Sequence, residues 1–169
     1  MGATDQCRFV WPLLRRLPGV GRPRADRFSR LLNRLSRSFL PDNGDSILEK
    51  GNPRVAETIR TAVEKKQLSL PPLPASFFQV NEADRAWVDS MCTPQPLGTY
   101  TEKLVLTGAR ERIAKKTYIR AKGYAQPIFD AAEEKLKKDP TWRVLSVQSG
   151  HDVMVDAPDR LVEMLLEAT

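Results

Sequence analysis

The stretch TYIRAKGYAQPIFDAAEEKLKKDPTWRVLSVQSGHDVMVDAPDRLVEMLLEAT, residues 117–169, decides the fold. Thr117-Tyr118-Ile119-Arg120-Ala121 is dense in β-branched and aromatic residues and reads as a strand, which Gly123 ends. The spacing then predicts a helix over residues 126–138, with Ile128, Ala131, Ala132 and Leu136 inward and a Lys-rich last turn that complements its dipole. Arg143-Val144-Leu145-Ser146-Val147-Gln148 is a second strand. A tight Ser149-Gly150-His151-Asp152 turn leaves it, and residues 159–168 read as a terminal helix with Leu161, Met164 and Leu165 inward. The order β-α-β-turn-α is half of a parallel α/β sheet, whose strands are joined by covering helices. In such sheets, catalytic and ligand-binding side chains gather outside the carboxyl ends of the strands. His151, the chain's one histidine, stands there, where a general base would sit; a structural or merely exposed imidazole is the competing reading.

Upstream of this lobe the chain reads as helices and turns. Residues 24–39 place Arg24, Arg27, Arg30, Arg34 and Arg37 on one face and Phe28, Leu32, Leu35 and Phe39 on another, the pattern of an amphipathic basic helix. Three readings stay open for it: a solvated face of a core-packing helix, an organellar transit segment, or a surface for membrane or nucleic acid. Pro41-Asp42-Asn43-Gly44-Asp45 is a turn, in which Asn-Gly supplies the positive φ. Pro53 opens a helix running to about residue 66, with Val55, Ile59 and Val63 inward. Leu70-Pro71-Pro72-Leu73-Pro74 is a rigid connector, and a short helix over residues 82–91 is capped by Asn81, with Ala86 and Trp87 on its apolar side. Residues 103–107 are expected to be extended.

Charge divides the chain. Of 27 Lys+Arg and 21 Asp+Glu, for a net +6, residues 1–40 hold nine Arg, no Lys and two Asp, which is +7; the remaining 18 basic and 19 acidic residues give −1. The pI near 9.5 therefore describes the head and not the body, and a nucleic-acid-binding domain is not favoured. With 41% hydrophobic residues and no apolar run near the roughly 18 residues of a membrane span, no transmembrane segment is expected. Cys7 and Cys92 stand in no disulfide or metal-binding pattern, so no metal or cofactor is called for, and a reducing, cytoplasmic setting is expected unless the Arg-rich head directs the chain to an organelle.

The tail Ser149-Gly150-His151-Asp152-Val153-Met154-Val155-Asp156-Ala157-Pro158, preceding a leucine-rich helix, resembles the C-terminal histidine motif of α/β-hydrolase-fold esterases, in the branch related to plant methylesterases and hydroxynitrile lyases. Ser38-Phe39-Leu40-Pro41-Asp42-Asn43-Gly44-Asp45-Ser46 is similar to that family's strand end and turn before the cap. Asp84-Arg85-Ala86-Trp87-Val88-Asp89 and Thr93-Pro94-Gln95-Pro96-Leu97 resemble the cap segment, and Leu106-Thr107-Gly108 resembles the stretch just after the cap. The resemblance covers about residues 38–169. It implies an incomplete α/β-hydrolase fold in three parts: an Arg-rich segment atypical of the family over residues 1–37, a cap-like helical region over 38–116, and a C-terminal α/β-hydrolase lobe over 117–169.

By that resemblance His151 would deprotonate a serine nucleophile and later protonate the leaving group. The nucleophile itself is not in this sequence: none of its nine serines stands in Gly-x-Ser-x-Gly, and no second histidine exists for a His-Gly oxyanion segment. The loop at residues 122–126, where many such enzymes place the acid, has no carboxylate; Asp42, at the other family location, and Asp130 are the candidates. Phe77, Phe78, Trp87 and Leu97 are candidates for a substrate pocket. The expectation is a truncated carboxylic-ester hydrolase, inactive alone, whose partner, if any, is a small hydrophobic ester or acid. The alternatives are a non-catalytic module that binds such a ligand and a basic peripheral or nucleic-acid-binding protein driven by the head.

Overall fold

A computed structural model describes residues 35–36 and 40–167. Its centre is a parallel sheet in the order β1-β4-β5, where β1 is Leu35–Ser36, β4 is Lys116–Ala121 and β5 is Trp142–Val147. Helix α5, Pro127–Leu136, carries the chain from the end of β4 back to the start of β5, with proline in its first turn, where a missing N–H costs nothing. A four-residue helix α6, Val153–Asp156, comes after β5, and α7, Pro158–Glu167, closes the described chain.

Alternation along β4 sends its side chains to two covered faces. Ile119 and Ala121 join Val147, Val153 and Met164 in one buried cluster, completed by Leu145, Ala157, Leu161 and Leu165. On the alternate positions stand Tyr118 and Arg120, both buried; Arg120 is paired with Asp130 of α5. All six residues of β4 are buried, as the middle strand of a sheet covered on both faces requires.

Between β1 and β4 lies a helical region. It comprises α1 (Ile47–Lys50), α2 (Pro53–Glu64), α3 (Glu82–Met91) and α4 (Gly98–Thr101), with a two-residue antiparallel ribbon of β2 (Ser69–Leu70) and β3 (Gln95–Pro96). Ile59, Ala62 and Leu70 form its main core, against Leu48, Val55, Leu97 and Tyr100. A second, smaller cluster joins Ala75, Val80 and Val88 to Phe78, Cys92 and Val155, and so packs this region onto α6. No described helix is long and apolar enough to cross a membrane.

Asn81 caps α3 as expected, its side chain accepting from the Asp84 N–H, and Gly44 takes φ +87° in the Asn-Gly turn. Other expectations need correction. The buried face of α2 is Ala56, Ile59 and Ala62, while Val63 is exposed; in α3 Val88 is buried, and Ala86 and Trp87 face outward. In α5 the buried residues are Glu133 and Leu136, and Ala131 is exposed. Residues 103–107 form no strand. They are pinned to the turn at 43–45 by Leu104 N–H to Asp45 O, Gly44 N–H to Leu104 O and Leu106 N–H to the Asn43 side chain. Residues 35–36, expected within the basic helix, form β1; the rest of that helix lies outside the described residues.

Candidate active site

β4 and β5 are parallel and in register to Ala121 and Val147, so their exits open side by side. Lys122 N–H continues the ladder to Val147 O at 2.8 Å, and Gly123 lies so close to the next exit that a Cβ there would meet Ser149 O at 2.5 Å. The two loops thus run in contact, and His151 on the second faces Tyr124 on the first at 4.9 Å between ring centroids.

Three aromatic rings pack against the half-buried imidazole. Phe129, in the first turn of α5, lies 5.5 Å away and 23° from parallel; Phe78, from the turn before α3, lies 5.3 Å away and 24° from parallel. The backbone is fixed too: His151 N–H donates to Phe78 O at 2.8 Å. Tyr124 is buried, which pushes its phenol up, with the Gln126 amide opposing and the Asp152 charge adding to the rise; it stays protonated near neutral pH. The Arg120 guanidinium stands 5.8 Å from the centre of the Phe129 ring and donates to Asp130 and to Ala121 O.

The turn that delivers Phe78 is a tight strap. Phe77, Phe78 and Gln79 N–H groups donate to Pro74, Ala75 and Ser76 carbonyls, and Gln79 takes a left-handed φ of 57°. Its end is tied to the lobe by Asn81, whose backbone N–H and side-chain amide both donate to Asp156 Oδ1 at 2.9 and 3.0 Å. Gly150 permits this approach: a Cβ there would collide with Gln79 O and the Asp156 carboxylate.

The candidate acids are not brought to His151. Asp42 receives the Lys135 ammonium on both oxygens at 3.0 Å, with Arg110 at 3.9 Å. The Lys135 hydrogen bond and charge hold its carboxyl below the ordinary range. Lys135 is in the last turn of α5, which ends where β5 begins, so Asp42 stands at the amino-terminal edge of the sheet and His151 at the carboxyl-terminal edge. A cavity of about 210 Å³ at that same amino-terminal edge is lined by Leu40, Arg110, Lys116, Lys135, Asp139 and Trp142, remote from the histidine. Asp130 spends Oδ1 on Arg120 at 2.7 and 3.1 Å.

The four candidate pocket residues separate as well. Phe77 and Phe78 meet edge to face at 5.2 Å, and Phe78 reaches His151. Leu97 packs in the α2 core, and Trp87 is 39% exposed on α3. Two further residues surround His151 that are not among the sequence candidates, Tyr124 and Phe129. The rule that adjacent parallel strands exit together was the available signal for both, since they stand two and seven places beyond β4's first loop residue. Among the described residues, no three His, Cys, Asp or Glu side chains are grouped to hold a metal ion.

A parallel sheet with covering helices, a helical excursion between its first two strands and a histidine at the exit of the last is the architecture of part of an α/β-hydrolase. The solved structure of an extracellular α/β-hydrolase from a Paenibacillus species, described as sharing structural and functional homology with tobacco salicylic acid binding protein 2, has this fold in common with the chain. The TM-score is 0.63 over 80% of this chain and 61% of that one, at 15% identity. A carbendazim-hydrolysing esterase from Nocardioides sp. (strain SG-4G) is 33% identical over 137 residues, 76% of this chain and 57% of the esterase. The chain has the α/β-hydrolase fold and is similar in sequence to an esterase. It spans about three-fifths of the length of each of these relatives, and no family model matches it.

Proposed function

We propose that this chain is the histidine-bearing lobe of a carboxylic-ester hydrolase, with His151 in the general-base position, and that it does not turn over esters by itself. The observation that carries the reading is the placement of His151 at the adjoining exits of two parallel strands, which is where α/β folds assemble their chemistry. An imidazole there would take the proton of a serine hydroxyl as that oxygen attacked the ester carbonyl, then return it to the departing alkoxide. The serine must stand on a strained elbow that exposes its oxygen, and no Gly-x-Ser-x-Gly exists in the 169 residues. The histidine alone gives acyl transfer no nucleophile to activate. The test is hydrolysis of p-nitrophenyl butyrate by the purified chain: the rate should equal the uncatalysed rate, and turnover that disappears in His151→Ala would overturn the proposal.

The rings around His151 favour one second reading, a non-catalytic module that binds a small hydrophobic ester or acid. Calorimetry with methyl benzoate separates the two. Saturable binding lost in Phe78→Ala supports the module; no heat of binding leaves the lobe reading alone.

A further inference from the structure

We infer that Phe78 and Phe129 are positioning residues for the His151 imidazole, and that the strap carrying Phe78 couples the orientation of this ring to the docking of the helical region on the sheet. The use of an oriented His151 rests on the function proposed above; the coupling itself does not.

Both phenyl rings lie within 24° of parallel to the imidazole, so rotation about its χ2 would drive the ring edge into one or the other. They come from opposite parts of the molecule. Phe129 belongs to the sheet lobe and lies against Arg120, itself 2% exposed and paired to Asp130. Phe78 belongs to the strap, and its carbonyl also receives the His151 N–H. Three further features tie strap and lobe: the doubled Asn81 contact to Asp156, the close approach that Gly150 allows, and the packing of Phe78 and Val155 against the cluster of Ala75, Val80 and Val88. The strap cannot lift without withdrawing one ring and the backbone acceptor from His151 together. A general base needs its ring nitrogen held within hydrogen-bond reach of the proton it takes, and the stacked rings fix the plane in which those nitrogens lie.

His151 is the chain's one histidine, which makes its ring signals unambiguous in a carbon-edited proton NMR spectrum of the full chain. Rings stacked on the imidazole shield its protons, so the Hε1 and Hδ2 resonances should lie upfield of those of an unfolded histidine. They should show nuclear Overhauser contacts to both phenyl rings. Phe78→Leu and Phe129→Leu should each move the resonances part of the way back, whereas Phe78→Tyr, which keeps the ring, should leave them in place. Loss of strap docking through Asp156→Ala, which removes the acceptor of both Asn81 contacts, should move the resonances downfield as Phe78→Leu does, without altering a ring. Wild-type resonances at the unfolded position, absence of the contacts to either phenyl ring, or a Phe78→Leu chain that is folded by circular dichroism yet unchanged at His151 would each overturn the inference. Ester turnover enters none of these readings, so a failure of the proposed function is separable from a failure of the positioning.

Discussion

Gly150 is the residue on which the site's geometry turns. A single methyl at its α-carbon would collide with the Gln79 carbonyl and the Asp156 carboxylate, both backed by packed structure, so the strap or the loop has to move. Gly150→Ala is expected to lower stability by about 1–3 kcal/mol in urea unfolding and to make residues 71–81 cut faster in limited proteolysis. Tyr118 is a second residue with a definite consequence. Its side chain is wholly buried, its hydroxyl finds no hydrogen-bond partner among the described residues, and burial pushes its phenol up to about 12. A group whose pKa is raised by folding gives its full contribution below the unfolded value and loses it as pH climbs through the folded one. Stability should therefore fall between about pH 10 and 12, by roughly 2 kcal/mol. Melting curves across that range should show the fall in the wild type and a shallower one in Tyr118→Phe, which at neutral pH should be as stable as the wild type or more so.

At the scale of elements, the ends of helices are legible in the sequence and their faces are not. Asn81 before α3 and proline at the start of α2 and α5 are local signals, because caps and fixed φ act within one turn. Which side of a short helix is buried depends on what it meets. Val88 and not Trp87 turns inward because the partners are Ala75 and Val80, and α2 offers small residues, Ala56 and Ala62, beside Ile59, which let neighbours approach closely. The helices around the sheet are better marked, since α7 faces a flat apolar surface that any 3.6-residue periodicity can match. Even there, Glu133 of α5 is buried at a position with no apolar character, held by Lys122 and Lys137. A pair of substitutions tests this account. Met164→Ala, in the cluster under β4 and β5, should cost about 2–4 kcal/mol, and Trp87→Ala less than about 1 kcal/mol, by chemical denaturation of the full chain.

Over the whole molecule, the sequence placed His151 just beyond the carboxyl end of the last strand, and the fold has it there. The sequence could not supply the ring cluster, because Phe78, Tyr124, Phe129 and His151 come from three separated stretches that only the folded chain brings together. Nor could it show that Asp42 and His151 lie at opposite edges of the sheet, which depends on the direction of α5. The +7 head falls almost wholly outside the described residues, so the site is built from the near-neutral body alone. At its centre is His151, in a chain whose 169 residues contain no Gly-x-Ser-x-Gly. The most direct measurement is labelling with a fluorophosphonate probe, read by intact mass, on the wild type and on His151→Ala. No adduct is predicted on either protein. A stoichiometric adduct on one of the nine serines, formed by the wild type and lost in His151→Ala, would contradict this account.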